Sequence, residues 1–228
     1  QLLDWLADEL LRQRWSLKAI HRLMVTSAAY RQQSTANADH PATRTDADNR
    51  LLWRMNPRRL DAESVRDAIL AATGKLNPEM GGPGFEDFTY QDAYAPIYNY
   101  ITPDRPELWR RSIYRYVVRT TPHQFMTTLD CPNPANLTPS RVTTTTALQS
   151  LALQNNEFIL KQAEYFAARI KHESAASSSS QTTLAFQLAF GRSPRVDEHA
   201  AAEKITTNQG LFTLCRMLLN ANEFVYVD

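Results

Sequence analysis

The side chains best suited to bind a ligand lie in the middle of the chain. Residues 105–119 contain five arginines and a single acidic side chain, and they follow a segment rich in tyrosine. Guanidinium groups form bidentate hydrogen bonds with carboxylates and sulfates, and they stack on aromatic rings. The pattern therefore predicts a site for an acidic polysaccharide. The candidate ligand-binding residues are Tyr94, Tyr98, Tyr100, Arg110, Arg111, Tyr114, Arg115 and Arg119. In the alternative interpretation, Tyr114, Tyr116 and Val118 pack inward and the arginines pair with acidic side chains elsewhere.

A second candidate, an anion site, lies at a predicted helix start. Arg141 precedes the run of four threonines at 143–146, which leads into an apolar helical pattern. The N–H groups of a helix start, the hydroxyls of Thr144 and Thr145, and the Arg141 guanidinium would together hold one anion. The alternative is that a threonine caps the helix.

The sequence carries no short catalytic or metal-binding motif. It contains no GxSxG, HExxH, GxGxxG or phosphate-binding glycine loop. The five histidines and the two cysteines have no metal-ligand spacing, so no metal site is predicted. Without a CxxCH motif, covalent haem attachment is excluded within this chain. A catalytic site assembled from distant residues stays open, because such sites form in space.

Composition narrows the classes of partner. The 228 residues carry 25 Lys and Arg against 24 Asp and Glu, a formal net charge of +1. This balance argues against a nucleic-acid partner. The chain lacks a run of 18 consecutive apolar residues, so no membrane insertion is predicted.

Proline placement indicates how the chain is organised. Nine of the twelve prolines lie between Pro78 and Pro139, and proline disrupts helix interiors. We therefore predict a mainly α domain over 1–228, with helical parts at 1–74 and 143–228. The Pro-, Gly- and Tyr-rich part at 75–142 is expected to be irregular, with a short strand or hairpin.

Local patterns predict the ends of several elements. Ser16 is expected to cap a helix over 17–31, and Asp61 a helix closed by Gly74. The remaining local predictions are a loop at 32–48, a short helix at 47–55, a strand at 111–119 with a helix after Pro106 as its rival, and a linker at 177–180.

Several segments resemble a family known from planctomycetes. They include WSLKAIHRLMVTSAAYRQ at 15–32, RRSIYRYVVRTTPHQFMTTLDCPNP at 110–134 and TTTALQSLALQNNEFILKQAEYFAARI at 144–170. The family has no known function, and its usual TTTPLQAL reads TTTALQSL here. Ala147 replaces a proline suited to a first helical turn, so a less sharply fixed helix start is expected.

The resemblance implies a context for the chain. It implies a fragment of a large exported protein at the cell envelope or outside the cell. Haem would belong to a cytochrome-c-like domain elsewhere in that parent protein, and no cofactor is expected in this chain.

Two functions are consistent with these patterns. The first is a non-catalytic interaction domain that uses residues 88–119 to bind an acidic polysaccharide or other domains of the parent protein. The second is a component of a polysaccharide-degrading enzyme with a site shared between domains. The enzyme hypothesis predicts that Asp or Glu side chains converge in a cleft near the tyrosines, as in glycoside hydrolases.

Overall fold

The computed structural model describes residues 1–34, 39–174 and 177–227. About 52% of the chain is helical, which confirms the prediction of a mainly α fold. The helices are α1 (Leu2–Arg12), α2 (Leu17–Thr26), α3 (Ala42–Thr45), α4 (Ala62–Ala72), α5 (Gln124–Thr128), α6 (Ala147–Asn155), α7 (Glu157–Glu173), α8 (Ser178–Phe190), α9 (Val196–Gln209), α10 (Leu211–Leu219) and α11 (Asn222–Val225). The strands are β1 (Arg58–Arg59), β2 (Phe88–Gln91), β3 (Ile97–Tyr100) and β4 (Tyr226–Val227), and they pair as β1 with β4 and β2 with β3.

The chain divides into two compact units. The smaller comprises Gln1–Arg58 with the end of the chain from Val227, and the larger comprises Arg59–Tyr226. A single domain over 1–228 stays a prediction. Both candidate sites belong to the larger unit.

In the smaller unit, Ser16 caps α2 as predicted, because its side chain accepts a hydrogen bond from the Ala19 N–H. The helix ends at Thr26, five residues earlier than expected. The Thr26 hydroxyl bonds to the Arg22 carbonyl and the Ser27 hydroxyl to the Met24 carbonyl. Such side-chain bonds to the backbone compete with helical ones and favour a helix end.

The helix predicted at 47–55 is wrong. The Asp46 carboxylate accepts hydrogen bonds from the backbone N–H groups of Arg50 and Leu51, both at 2.8 Å. Asn49 and Leu52 adopt φ angles of 56° and 54°, which a right-handed helix excludes. Of the loop predicted at 32–48, residues 35–38 lie outside the described residues, and its later part contains α3.

In the larger unit, α4 begins and ends as predicted. The Asp61 side chain accepts a hydrogen bond from the Ser64 N–H, and Gly74 follows the helix with a φ of 74°. The core-facing side chains of α4 include Val65, Ile69 and Leu70. Side chains of this helix also bond to the central part of the chain.

The central hairpin lies where the tyrosines are, at β2 and β3, and it pairs Phe88 with Tyr100 and Tyr90 with Tyr98. The strand predicted at 111–119 is wrong, and its rival, a helix after Pro106, is present only as a short 3-10 turn. Two short 3-10 turns, Pro106–Trp109 and Ser112–Tyr114, occupy this segment. The Asp67 carboxylate of α4 fixes the second turn, since it accepts hydrogen bonds from the Ser112 N–H at 2.8 Å and hydroxyl at 2.7 Å.

The later helices form the main core around α7 and α10, which pack against each other. The buried side chains of these two helices include Phe158, Ile159, Ala163, Phe166, Ile170, Leu211, Leu214, Cys215, Leu218 and Leu219. The linker predicted at 177–180 is wrong, because Ser177 caps α8 through the Ser180 N–H and the next serines are helical.

Candidate functional site

Arg110 is a buried structural residue. Its guanidinium donates to the carbonyls of Pro83 at 2.8 Å and Glu79 at 3.3 Å, and to that of Gly81. The same group lies 4.0 Å from the centre of the Tyr114 ring. Backbone carbonyls in a tight turn need such donors, so Arg110 holds the glycine-rich turn in place.

Arg115 forms an internal ion pair. Its Nε donates to Asp87 Oδ2 at 2.7 Å, and its side chain is only 6% exposed. Its guanidinium also lies 5.2 Å from the centre of the Tyr100 ring. Because Asp87 immediately precedes β2, this pair anchors the base of the hairpin to the segment that follows it.

Arg66 was not among the sequence candidates, although it occupies the centre of this region. Its guanidinium donates to the carbonyls of Leu108 at 2.7 Å and Arg110 at 3.0 Å, and to the Ser112 hydroxyl at 3.2 Å. Burial lowers the pKa of Arg66 to about 10, which leaves it charged at neutral pH. Its position three residues before Ile69, on the apolar face of α4, is the signal that would have identified it.

Of the other residues predicted to bind the polysaccharide, some lie inside the protein and others at its surface. Tyr114 is half-buried, and its hydroxyl accepts a hydrogen bond from the Gly81 N–H at 2.7 Å. Arg111 is half-exposed, with its Nε 3.8 Å from Asp67 Oδ2. Arg119 is exposed and has no partner among the residues that the structure describes. Tyr94 is fully exposed in the turn between β2 and β3.

Five aromatic rings form a continuous cluster, the aromatic row, made of Phe88, Tyr90, Tyr98, Tyr100 and Tyr116. The first four share one face of the hairpin, because alternate strand residues point the same way. Ring centres lie 6.0 Å apart for Tyr100 and Phe88, 5.2 Å for Phe88 and Tyr98, and 5.5 Å for Tyr98 and Tyr90. Tyr116 lies 5.9 Å from Phe88. The row runs from an inner end at Tyr100 to Tyr90 and Tyr116, which are 56% and 52% exposed.

The inner end of the row meets a half-buried histidine, His123. The Tyr100 hydroxyl donates to the Thr121 carbonyl, and its ring lies 4.4 Å from that of His123. His123 Nδ1 accepts from the Met126 N–H at 3.5 Å and Nε2 lies 3.8 Å from Asp87 Oδ2. Burial, followed by the charge of Arg115, lowers the pKa of His123 to about 4, so the ring is neutral at neutral pH.

The predicted anion site is filled by the protein's own carboxylates. Arg141 donates to both oxygens of Glu63, at 2.7 and 2.8 Å. The Thr144 N–H and hydroxyl both donate to Asp130 at 2.8 Å. Burial opposes ionisation of Asp130, but the hydrogen bonds from Thr144 prevail and lower its pKa. The structure therefore brings Arg141 and Thr144 to two different internal acids rather than to one shared anion.

The helix start beside this site is sharply fixed. Thr146 caps α6, because its hydroxyl accepts from the Gln149 N–H while the Gln149 side chain accepts from the Thr146 N–H. Such a reciprocal capping box satisfies two backbone donors at once. Thr145 instead places its hydroxyl 3.2 Å from that of Tyr226. The capping box thus defines the start of α6 without the proline that the family usually has at position 147.

Three aspartates of the central region, Asp67, Asp87 and Asp104, accept hydrogen bonds from the protein itself. Asp87 pairs with Arg115, and Asp67 holds Ser112. Asp104 accepts from the Trp109 indole N–H at 3.0 Å and from Lys75 at 3.1 Å. Among the described residues, no group of three or more His, Cys, Asp or Glu side chains is placed to hold a metal ion. The two cysteines, Cys131 and Cys215, are free thiols.

Comparison with known proteins identifies a family. The profile of PSD1, protein of unknown function (DUF1553), matches residues 1–206. No curated protein and no solved structure matches the chain. Over the described residues, the helices are too short or too polar to cross a membrane. A planctomycete source, export and an associated cytochrome-c-like domain stay predictions.

Proposed function

We propose that this chain, which belongs to the PSD1 family of proteins of unknown function (DUF1553), is a non-catalytic interaction domain that binds a polysaccharide through the aromatic row. The observation that carries the proposal is the exposed outer end of that row, at Tyr90 and Tyr116. Tyrosine rings combine a flat apolar face with a polar edge. Sugar rings also have apolar C–H faces and polar rims, so the two surfaces are complementary.

The arginines contribute less than the sequence indicates. Arg110 and Arg115 bond to the protein itself, which leaves Arg111 and Arg119 as the candidate arginines at the surface. We retain an acidic polysaccharide as the ligand class, because these two guanidinium groups favour anionic sugars. Ring stacking is expected to supply most of the affinity, and the two arginines the preference for charge.

The test is a glycan-array screen followed by titration of any bound polysaccharide. Tyr90→Ala is expected to reduce affinity at least about tenfold, since loss of one stacked ring removes roughly 1.4 kcal/mol or more. Arg111→Ala with Arg119→Ala is expected to weaken binding to acidic sugars only, and to reduce its salt dependence.

The matched control is Tyr30→Ala. Tyr30 is 54% exposed, nearly the same fraction as the 56% of Tyr90, and it belongs to the smaller unit. Its removal should leave affinity unchanged. Failure of the folded wild-type protein to bind any polysaccharide, or equal binding by Tyr90→Ala, would contradict the proposed function.

The parent protein's other domains are a second class of partner. The observation that favours them is the set of large apolar side chains exposed on α1 and α2 and between them, namely Leu2, Leu3, Trp5, Leu11, Trp15, Leu17, Leu23, Met24 and Val25. Extended apolar surfaces of this kind are typical of interfaces. A role in a polysaccharide-degrading enzyme has less support, because Asp67, Asp87 and Asp104 each accept hydrogen bonds from donors of the protein itself.

A further inference from the structure

Three buried polar atoms beneath the hairpin have no hydrogen-bond partner within the described part of the chain. They are Asp87 Oδ1, Thr102 Oγ1 and Arg115 Nη2. In folded proteins, buried polar atoms are paired with protein or with ordered water, and an unpaired one is costly. Three such atoms in one region therefore predict a further hydrogen-bonding group beside them.

All three residues line the same cavity. Its remaining wall is largely apolar and includes Leu108 and Phe158. The cavity leaves about 20 Å³ for the centre of a water molecule. One water needs roughly 10–15 Å³ by this measure and two to four polar partners. The cavity is thus large enough for one water and too small for an organic ligand.

We propose that a single internal water molecule occupies this cavity and bonds to Asp87, Thr102 and Arg115. It donates one hydrogen to Asp87 Oδ1 and accepts one from Arg115 Nη2. The Thr102 hydroxyl takes a third bond, because a hydroxyl both donates and accepts. One molecule then satisfies all three unpaired atoms.

The charges around the cavity select water over an ion. A chloride ion would accept hydrogen bonds from Arg115 and Thr102, but it would face the Asp87 carboxylate and leave Oδ1 unpaired. A metal cation would face two guanidinium groups, since Arg66 also lines the cavity. Water avoids both conflicts because it donates and accepts at once.

The position of this water gives it a structural role in the hairpin. Asp87 directly precedes β2, and Thr102 lies two residues after the end of β3. The two ends are also joined by the Ile101 N–H, which donates to the Asp87 carbonyl at 2.8 Å. The water would link both ends of the hairpin to Arg115 by hydrogen bonds, at the inner end of the aromatic row.

The first test is a crystal structure at a resolution that places ordered water, with a second crystal soaked in bromide. We expect one spherical peak within hydrogen-bond distance of the three atoms, and no anomalous bromide signal there. An empty cavity in the wild-type protein, or a bromide peak in it, would overturn the proposal.

The second test is made in solution, where oxygen-17 relaxation measures the number of long-lived internal water molecules. Thr102→Ser keeps the hydroxyl and should keep the count, whereas Thr102→Val removes one partner and should lower the count by one. Equal counts in the folded serine and valine variants would contradict the proposed bonding. If the valine variant does not fold, the wild-type crystal density still decides.

Discussion

Arg66 links α4 to the central region through three buried hydrogen bonds. Its guanidinium reaches carbonyls and a hydroxyl 42 to 46 residues further along the chain. It also lies 5.3 Å from the centre of the Phe85 ring and 5.7 Å from that of Phe158. Such bonds join α4 to a segment whose only regular elements are two short 3-10 turns.

We predict that Arg66→Met lowers the free energy of unfolding by about 3 kcal/mol, because buried carbonyls lose charged donors. Methionine keeps much of the side-chain volume, so the loss reports the hydrogen bonds. Urea denaturation measures the change. Arg119→Met, at an exposed position with no partner among the described residues, should change stability by no more than about 0.5 kcal/mol. Equal effects of the two substitutions would contradict the role given to Arg66.

His123 should make stability depend on pH. Its pKa is lowered to about 4 in the folded protein, first by burial and then by Arg115, while an unfolded histidine titrates near 6.5. The unfolded chain therefore binds more protons between these values, and stability falls as pH drops from about 6.5 towards 4. The expected loss is on the order of 3 kcal/mol.

Denaturation curves at a series of pH values measure this effect. His123→Asn is the matched control, since asparagine can cap α5 and does not titrate. The variant should lose most of the slope between pH 6.5 and about 5, where carboxylates of ordinary pKa are still mostly ionised. An unchanged slope in the variant would assign the pH dependence to other groups.

Residue types predicted which side chains are able to bind ligands, but not which remain free to do so. Arg110, Arg111 and Arg115 are similar in the sequence, yet the first bonds to carbonyls about 30 residues earlier and the third to Asp87. Only Arg111 is half-exposed. These outcomes depend on distant partners, which spacing along the chain does not reveal.

At the scale of elements, the helix starts at Ser16 and Asp61 were predicted correctly. Ser16 and Asp61 cap helices through neighbouring N–H groups, so the necessary information is local. The hairpin also had a signal, because aromatic residues stand at alternate positions in 88–90 and 98–100. The strand predicted at 111–119 followed β-branched content instead. There, the hydrogen bonds that Ser112 donates to Asp67 of α4 override that preference.

The start of α6 offers a stabilising substitution. Ala147 is the first helical residue, and its N–H has no acceptor among the described residues. Proline suits this position because its φ is already helical and it lacks the N–H. We expect Ala147→Pro to raise the free energy of unfolding by about 0.4–1 kcal/mol, measured by thermal or urea denaturation.

The control for this substitution lies three residues later. The Ser150 N–H donates to the Thr146 carbonyl, so Ser150→Pro removes a helical bond and should destabilise the protein by roughly 3 kcal/mol. A loss of stability in Ala147→Pro would show that the first turn of α6 does not have a regular helical backbone.

At the scale of the whole molecule, the structural unit extends beyond the matched family region. The match ends at residue 206, within α9, whereas the larger unit continues to Tyr226. The helix that follows, α10, buries Leu211, Leu214 and Leu218 and packs against α7. The two helical parts and the irregular middle were predictable from proline placement, but this pairing of α7 with α10 was not.

We predict that a chain ending at residue 206 does not fold into the larger unit. Each large apolar side chain contributes about 1.5–3 kcal/mol when buried, and whole domains are stable by only about 5–15 kcal/mol. Circular dichroism and dispersion of the NMR spectrum measure the outcome. Removal of residues 227–228 is the control and should preserve both signals. A cooperatively folded 1–206 chain would contradict the role given to α10.

The bonds of Arg141 and Thr144 to Glu63 and Asp130 have a consequence for competition with dissolved anions. A carboxylate attached to the same chain acts at an effective concentration that a buffer anion at ordinary levels does not match. Phosphate or sulfate would have to displace two oriented internal acids and leave them without their donors. An arginine followed by threonines at a helix start therefore does not by itself indicate an anion site. Where the fold places acids such as Glu63 and Asp130 beside these donors, they bond to the protein itself.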